Sequence, residues 1–219
     1  MVNSLCQLPQ YDFKSILIAG NSDYEFKSIK DLPFSSFERF FLQNSFISDN
    51  KNIFTLPIGI ENLRIGINGL PSNLKYSPDW NLRKNKVLVG PFSPTHQERI
   101  ELIGTASQDS KNFNLISDSI TPSKFAKTMS QFKFVACPRG NGVDTHRLWE
   151  ALYRGCVPII KRDKWSESLE VLSLPIILVN DWSEISNSIS TWAPNKGFNP
   201  EELKPLWINY WQELIQKLN

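Results

Sequence analysis

Between Phe132 and Ile160 the sequence reads FKFVACPRGNGVDTHRLWEALYRGCVPII, and few folds accommodate that order of pieces. An apolar run, a glycine-bearing loop, a helix-forming stretch, a glycine stop and a second apolar run follow one another without a spacer. Such a unit predicts two parallel strands joined by a crossover helix. The alternation extends in both directions. KVLVG begins a strand, THQERIELIGTA a helix just after Pro94, FNLIS a strand, PSKFAKTMSQ a helix opened by Pro122, and LPIILVN a strand before the helical DWSEISNSIS. The pattern predicts an α/β fold: an open parallel sheet with helices on both faces and a ligand crevice outside the carboxyl ends of the strands.

The amino-terminal part is thinner. KSILIAG predicts a strand running into the loop GNSD, and NIFTLPIG predicts a second strand. Between them, PFSSFERFFLQNS carries Phe34, Phe37, Phe40 and Phe41 at helix-like intervals and predicts a helix. Residues 61 to 86, rich in Gly, Pro, Asn and Ser, predict a long loop. The expected organisation is a reduced α/β segment over residues 1–85 and a complete sheet over residues 86–219. The latter ends in PEELKPLWINYWQELIQKL, helical on both sides of a break at Pro205, with Trp207 and Trp211 docking across the sheet.

Composition narrows the function classes. A chain of 219 residues with 41% hydrophobic residues is long and apolar enough to bury a core, which excludes disorder. The net charge of +2 gives nucleic acid no electrostatic footprint, so no nucleic-acid partner is expected. Cys6, Cys137 and Cys156 fit neither a disulfide framework nor a metal knuckle, and a reducing, cytoplasmic setting is the expectation. Cys137 and Cys156 sit at strand ends in apolar context and read as small buried hydrophobes rather than nucleophiles. No metal ligand set is expected from the two histidines.

Candidate chemistry concentrates after the strand FKFVAC. Pro138, Gly140 and Gly142 make a tight loop with accessible backbone; Asp144 or Thr145 can cap the following helix. A helix amino terminus facing a crevice is a seat for a diphosphate, and Arg139 and Arg147 flank that seat with guanidinium forks suited to phosphate oxygens. Arg147 and Glu150, three apart, share one side of the helix. The loop GPFSPT, with Ser93, follows another strand, and Arg99 lies on the next helix. His146 in the first helical turn and the run Lys161, Arg162, Lys164 at the crevice edge are further candidates, each of which can equally be a solvated surface group. The glycine spacing is not the dinucleotide fingerprint, and no Gly-Lys-Ser/Thr is present.

The string CPRGNGVDTHRLWEALYRGCVPII resembles the sugar-nucleotide-binding core of exostosin-type glycosyltransferases: a Pro- and Gly-bearing turn, then Arg, two residues, Glu-Ala, and later Gly-Cys-x-Pro with an apolar strand. The upstream PSKFAKTMSQFKFVACP is similar as well. This resemblance implies the carboxyl-terminal half of a fold with two facing Rossmann-like domains. It also implies an inverting transfer of a sugar from a nucleoside diphosphate, a uridine donor favoured, to a glycan or other hydroxyl acceptor, with no cofactor required. Arg147, Glu150, Arg139, Gly140, Gly142, Asp144, Thr145, Ser93 and Arg99 would then hold the donor, Glu150 receiving its hydroxyls. Asp23 and Glu61 are the candidate catalytic carboxylates of the facing side. With only about 85 residues on that side, where the family has a full acceptor domain, a partner chain completing it is one expectation. A sugar-nucleotide-binding protein without turnover, and a structural module built on the Trp182, Trp192, Trp207 and Trp211 face, are the alternatives.

Overall fold

A computed structural model describes residues 15–61, 74, 78–192 and 197–217. Cys6 and most of the predicted loop at residues 61 to 86 lie outside the described residues. Strands β1 (Ile16–Ala19), β2 (Arg39–Leu42) and β3 (Ile53–Thr55) form a parallel sheet in the order β1-β2-β3. A second sheet holds β4 (Lys84–Val89), β5 (Phe113–Leu115), β6 (Phe132–Ala136), β7 (Val157–Lys161) and β8 (Ile177–Val179), all parallel, in the order β5-β4-β6-β7-β8. The described α-helices are α1 (Gln97–Gln108), α2 (Pro122–Met129), α3 (His146–Tyr153), α4 (Lys164–Ser168), α5 (Ile185–Thr191) and α6 (Ile208–Lys217).

The second sheet is covered on both faces, as its alternating sequence expects. Val87, Val89, Phe134 and Ala136 pack with Leu102 and Ala106 of α1 and with Trp182, Ile185 and Ile189. The intervening Leu88, Val135 and Cys137 point the other way, into Phe125 and Met129 of α2 and Leu148, Trp149 and Leu152 of α3. Trp149 is 1% exposed, and its burial fixes α3 against the sheet. Helix α3 ends because Gly155 takes φ +67°, a left-handed conformation that glycine adopts at no steric cost, and β7 follows at once.

Two expectations are corrected. The segment read as a phenylalanine-rich helix contains strand β2, so the amino-terminal sheet has three strands rather than two. Phe40, Phe41 and Leu42 are all fully buried because β2 is the central strand, and a strand covered on both sides shows a continuous apolar run instead of alternation. Phe41 stacks on Phe54 of β3 while Phe40 joins Phe26, Leu32 and Leu42 on the other face. At the carboxyl end, Trp207 precedes α6 and is 43% exposed, whereas Trp211 within the helix is buried. Pro205 lies in a short 3-10 turn, Lys204–Leu206, that ends before the helix begins.

No helix of the described residues is long and apolar enough to cross a membrane.

Candidate functional site

Strand β4 has β5 on one side and β6 on the other, so the chain reverses direction across the sheet there. Loops leaving β4 and β6 diverge at their carboxyl ends and open the crevice where doubly wound sheets bind ligands. A cavity of about 370 Å3 occupies that place. Ser93 and Thr95 line it from the loop after β4, Arg99 from α1, and Gly140, Asn141, Gly142, Asp144 and Thr145 from the loop after β6. His146, Arg147 and Glu150 of α3 complete this side, and Asp23 and Ile58 face them from the amino-terminal part. A larger cavity, about 720 Å3, lies beside Arg83 and Gly155, which precede β4 and β7 at the opposite ends of the strands, away from the crevice.

Arg147 is held by aromatic rings. Its guanidinium carbon lies 4.3 Å from the Phe125 ring centre and 5.2 Å from that of Phe92, and its two terminal nitrogens donate to the carbonyls of Gly90 and Pro91 at 3.3 Å each. Arg99 approaches the same Phe92 ring at 5.5 Å, donating through Nε to the Arg139 carbonyl and through Nη1 to the Ser93 carbonyl, both at 2.9 Å. The rings and carbonyls that fix both side chains are neutral, and Glu150 meets the charge of Arg147 from the same helix. Gly140 leaves room for this placement of Arg99: a Cβ there would stand 2.8 Å from its Nη2 and displace the guanidinium end.

Glu150 is 5% exposed, and burial pushes its carboxyl up against the opposing influence of Arg147 and Arg154. Burial likewise lowers the pKa of Arg147 and Arg99, although a guanidinium keeps its proton at neutral pH. The result is a desolvated cation and a desolvated carboxylate on one side of α3, poised to gain from a polar ligand.

The expected helix cap is not made in the expected way. Thr145 precedes the first turn of α3, and its side chain makes no capping bond. Asp144 instead accepts from the indole Nε1 of Trp149 and the backbone N–H of Ile58, both at 2.7 Å. Burial raises its pKa to about 7, with those two donors pulling the other way. His146 meets the Gly59 carbonyl through Nδ1 at 2.8 Å. Two residues of the α3 amino terminus thus hold the β3 exit segment.

Other candidates fall elsewhere. Arg139 does not line the cavity; its guanidinium pairs with Glu25, which also meets Lys27 at 2.8 Å. Asp23 lines the cavity, whereas Glu61 does not, although it is near enough to Glu150 to raise its pKa. Lys161 pairs with Glu101 at 3.1 Å, and Arg162 lies 3.6 Å and 3.7 Å from Glu167 and Glu170, so these two charges serve local pairs. Lys164 opens helix α4. Cys137 and Cys156 are buried free thiols, and burial pushes Cys156 to about 11 and Cys137 further still. Such thiols are poor nucleophiles. Among the described residues no group of three or more His, Cys, Asp or Glu is placed to hold a metal ion.

Sequence reasoning missed Phe92, Phe125 and Asn44. The first two carry no signal as cation platforms until α2 and the β4 exit loop are brought together. Asn44 is 100 positions from its partner Asp144. No protein-family model matches the chain.

Proposed function

We propose that the chain is a glycosyltransferase that takes a sugar from a nucleoside diphosphate donor, a uridine donor by resemblance, and passes it to a hydroxyl acceptor. The observation that carries this reading is the convergence of Arg99, Arg147, Glu150 and the glycine loop on one polar cavity at the switch point of the sheet. Two ring-held guanidinium groups beside a glycine loop suit a diphosphate, and a buried carboxylate next to them suits vicinal hydroxyls.

The proposed chemistry balances simply. A carboxylate takes the acceptor hydroxyl proton, the oxygen attacks the anomeric carbon from the side opposite the leaving group, and the carbon–oxygen bond to the diphosphate breaks. Arg99 and Arg147 stabilise the charge that the departing diphosphate gathers. Asp23, which faces the donor side across the cavity, is the proposed base. Glu61 takes no part in this proposal because it does not line the cavity. Arg139 is assigned to the ion pair with Glu25 rather than to the donor.

The test is product release. Incubation with a panel of uridine and guanosine diphosphate sugars and hydroxyl acceptors should liberate nucleoside diphosphate, and Asp23→Asn should reduce that release at least about a hundredfold, the lower range for loss of a general base. Nucleotide binding without release by the wild-type chain would contradict a transferase and leave a binding protein.

A further inference from the structure

Asn44 lies at the end of the amino-terminal sheet, among none of the candidate site residues above, yet its amide reaches both halves of the candidate site. It is fully buried, and its backbone takes φ +53°, a left-handed conformation that asparagine tolerates better than most residues. Its Nδ2 donates to the Ser22 carbonyl at 2.8 Å, and its own carbonyl accepts from Phe26 N–H at 3.1 Å. These two bonds bracket the loop that carries Asp23. On the other side its Oδ1 accepts from the Asp144 backbone N–H at 2.9 Å. Gly142 lies against the same amide, where an added Cβ would stand 3.0 Å from Nδ2 and 3.1 Å from Oδ1. A side chain at position 142 would therefore push on the Asn44 amide by a few tenths of an ångström.

We infer that Asn44 is a positioning residue that locks the Asp23 loop and the glycine loop into one unit, and so sets the distance between the proposed base and the donor. This inference rests on the proposed transferase reading for its catalytic consequence, but the lock itself is a property of the folded chain. A buried amide satisfied by two backbone groups from distant segments is rigid, since breaking either bond leaves a polar group unpaired away from water. The half-buried Glu25 pair with Arg139 joins the same two loops and is the second tie between them. Asn44 touches no cavity-lining atom that reacts, so it acts through Asp23 and Asp144.

The test uses Asn44→Gly, which keeps the left-handed backbone and removes the amide, and Asn44→Asp, which keeps the acceptor for Asp144 N–H and loses the donor to Ser22. Hydrogen exchange of the ligand-free protein is expected to quicken in residues 21–26 and 140–146 together for Asn44→Gly, and in 21–26 alone for Asn44→Asp. Exchange unchanged in both segments, or quickened only in the residues adjoining position 44, would overturn the lock. In turnover, Asn44→Asp, which frees only the Asp23 loop, should lose about tenfold or more in kcat while UDP affinity stays within about threefold, because the misplacement lies between base and donor, whereas Asn44→Gly, which also loosens the donor-side glycine loop, should lose UDP affinity as well. Equal losses in kcat and UDP affinity for Asn44→Asp, or no loss in either, would overturn the positioning role. If wild type neither binds UDP nor turns over while the two segments still loosen together, the transferase reading falls and the lock stands.

Discussion

The five-stranded sheet has helices on both faces and a large buried cluster under each, whereas the three-stranded sheet has, among the described residues, a cluster of four buried residues and leaves Ile18 of its edge strand 55% exposed. The larger sheet can fix its own loops through that core. The smaller one depends on ties to its neighbour: Thr55 to Ser168 at 2.6 Å, Ile58 to Asp144, Gly59 to His146 and Asn44 to Asp144. Most of these converge on residues 144 to 146, so the start of α3 serves both as one wall of the cavity and as the anchor of the opposite wall. Two sheets with cores of unequal size can share a site when the one with the larger core supplies the reference points.

The severest way to break this division is Trp149→Ala. The indole fills the larger core and donates to Asp144, so its loss should cost about 3 to 5 kcal/mol in reversible denaturation and carry both sheets with it. A cost below about 1 kcal/mol, as for an ordinary surface position, would place the anchor elsewhere.

Asp144 sharpens the same division through pH. Its folded pKa of about 7 lies above the ordinary 3.8, so the folded state binds that proton more tightly than the unfolded chain. The stability this contributes is fully present below about pH 4 and is lost as pH rises through about 7. Asp144→Asn removes the titration. Relative to wild type, the variant should therefore gain on the order of 4 kcal/mol between about pH 4 and pH 8, on top of a constant offset from its altered hydrogen bonds. Parallel stability curves for the two proteins would mean that Asp144 does not titrate in this range.

Gly140→Ala should act on the cavity alone. The new methyl meets the flexible end of Arg99, so stability should change by less than about 1 kcal/mol while UDP affinity falls about tenfold. Undiminished affinity would remove Arg99 from the proposed donor site. Smallest is Glu25→Gln at the rim. Burial raises the Glu25 pKa, but its bonds to Lys27 and Arg139 outweigh this and hold it below its ordinary value. The pair should contribute at most about 1 kcal/mol, present above the ordinary glutamate pKa, fading as pH falls through the lowered one, and weakened by salt. A loss several times larger would make the rim ion pair, not the Asn44 amide, the main tie between the loops.

Much of the larger sheet was legible because each strand there is followed by a helix whose buried face repeats at helical spacing and whose ends carry Pro122, Gly155 or a capping residue. β2 was not legible: a strand buried on both faces has no period of its own, and Phe34, Phe37, Phe40 and Phe41 imitate a helical stripe. In the site, Arg147, Glu150, Gly140, Gly142, Asp144 and Thr145 were nameable from loop and helix-start patterns and Ser93, Arg99 and Asp23 from the resemblance, and all nine line the cavity. Arg139 and Glu61 were nameable too and lie outside it. Arg139 turns away because Glu25 competes for its guanidinium, a partner 114 positions distant that no local pattern reveals. Asn44 is of the same kind, since an asparagine ending a strand looks like a turn residue until its partners are known.

The most direct measurement is calorimetric titration of UDP, UMP and uridine into wild type, Arg147→Ala and Glu150→Gln. If the switch-point cavity seats a diphosphate through ring-held arginines and the ribose through Glu150, Arg147→Ala should weaken UDP by about tenfold or more while leaving uridine within about twofold. Glu150→Gln should weaken all three ligands alike, by about 1 to 3 kcal/mol. Equal UDP affinity in the three proteins would contradict the account.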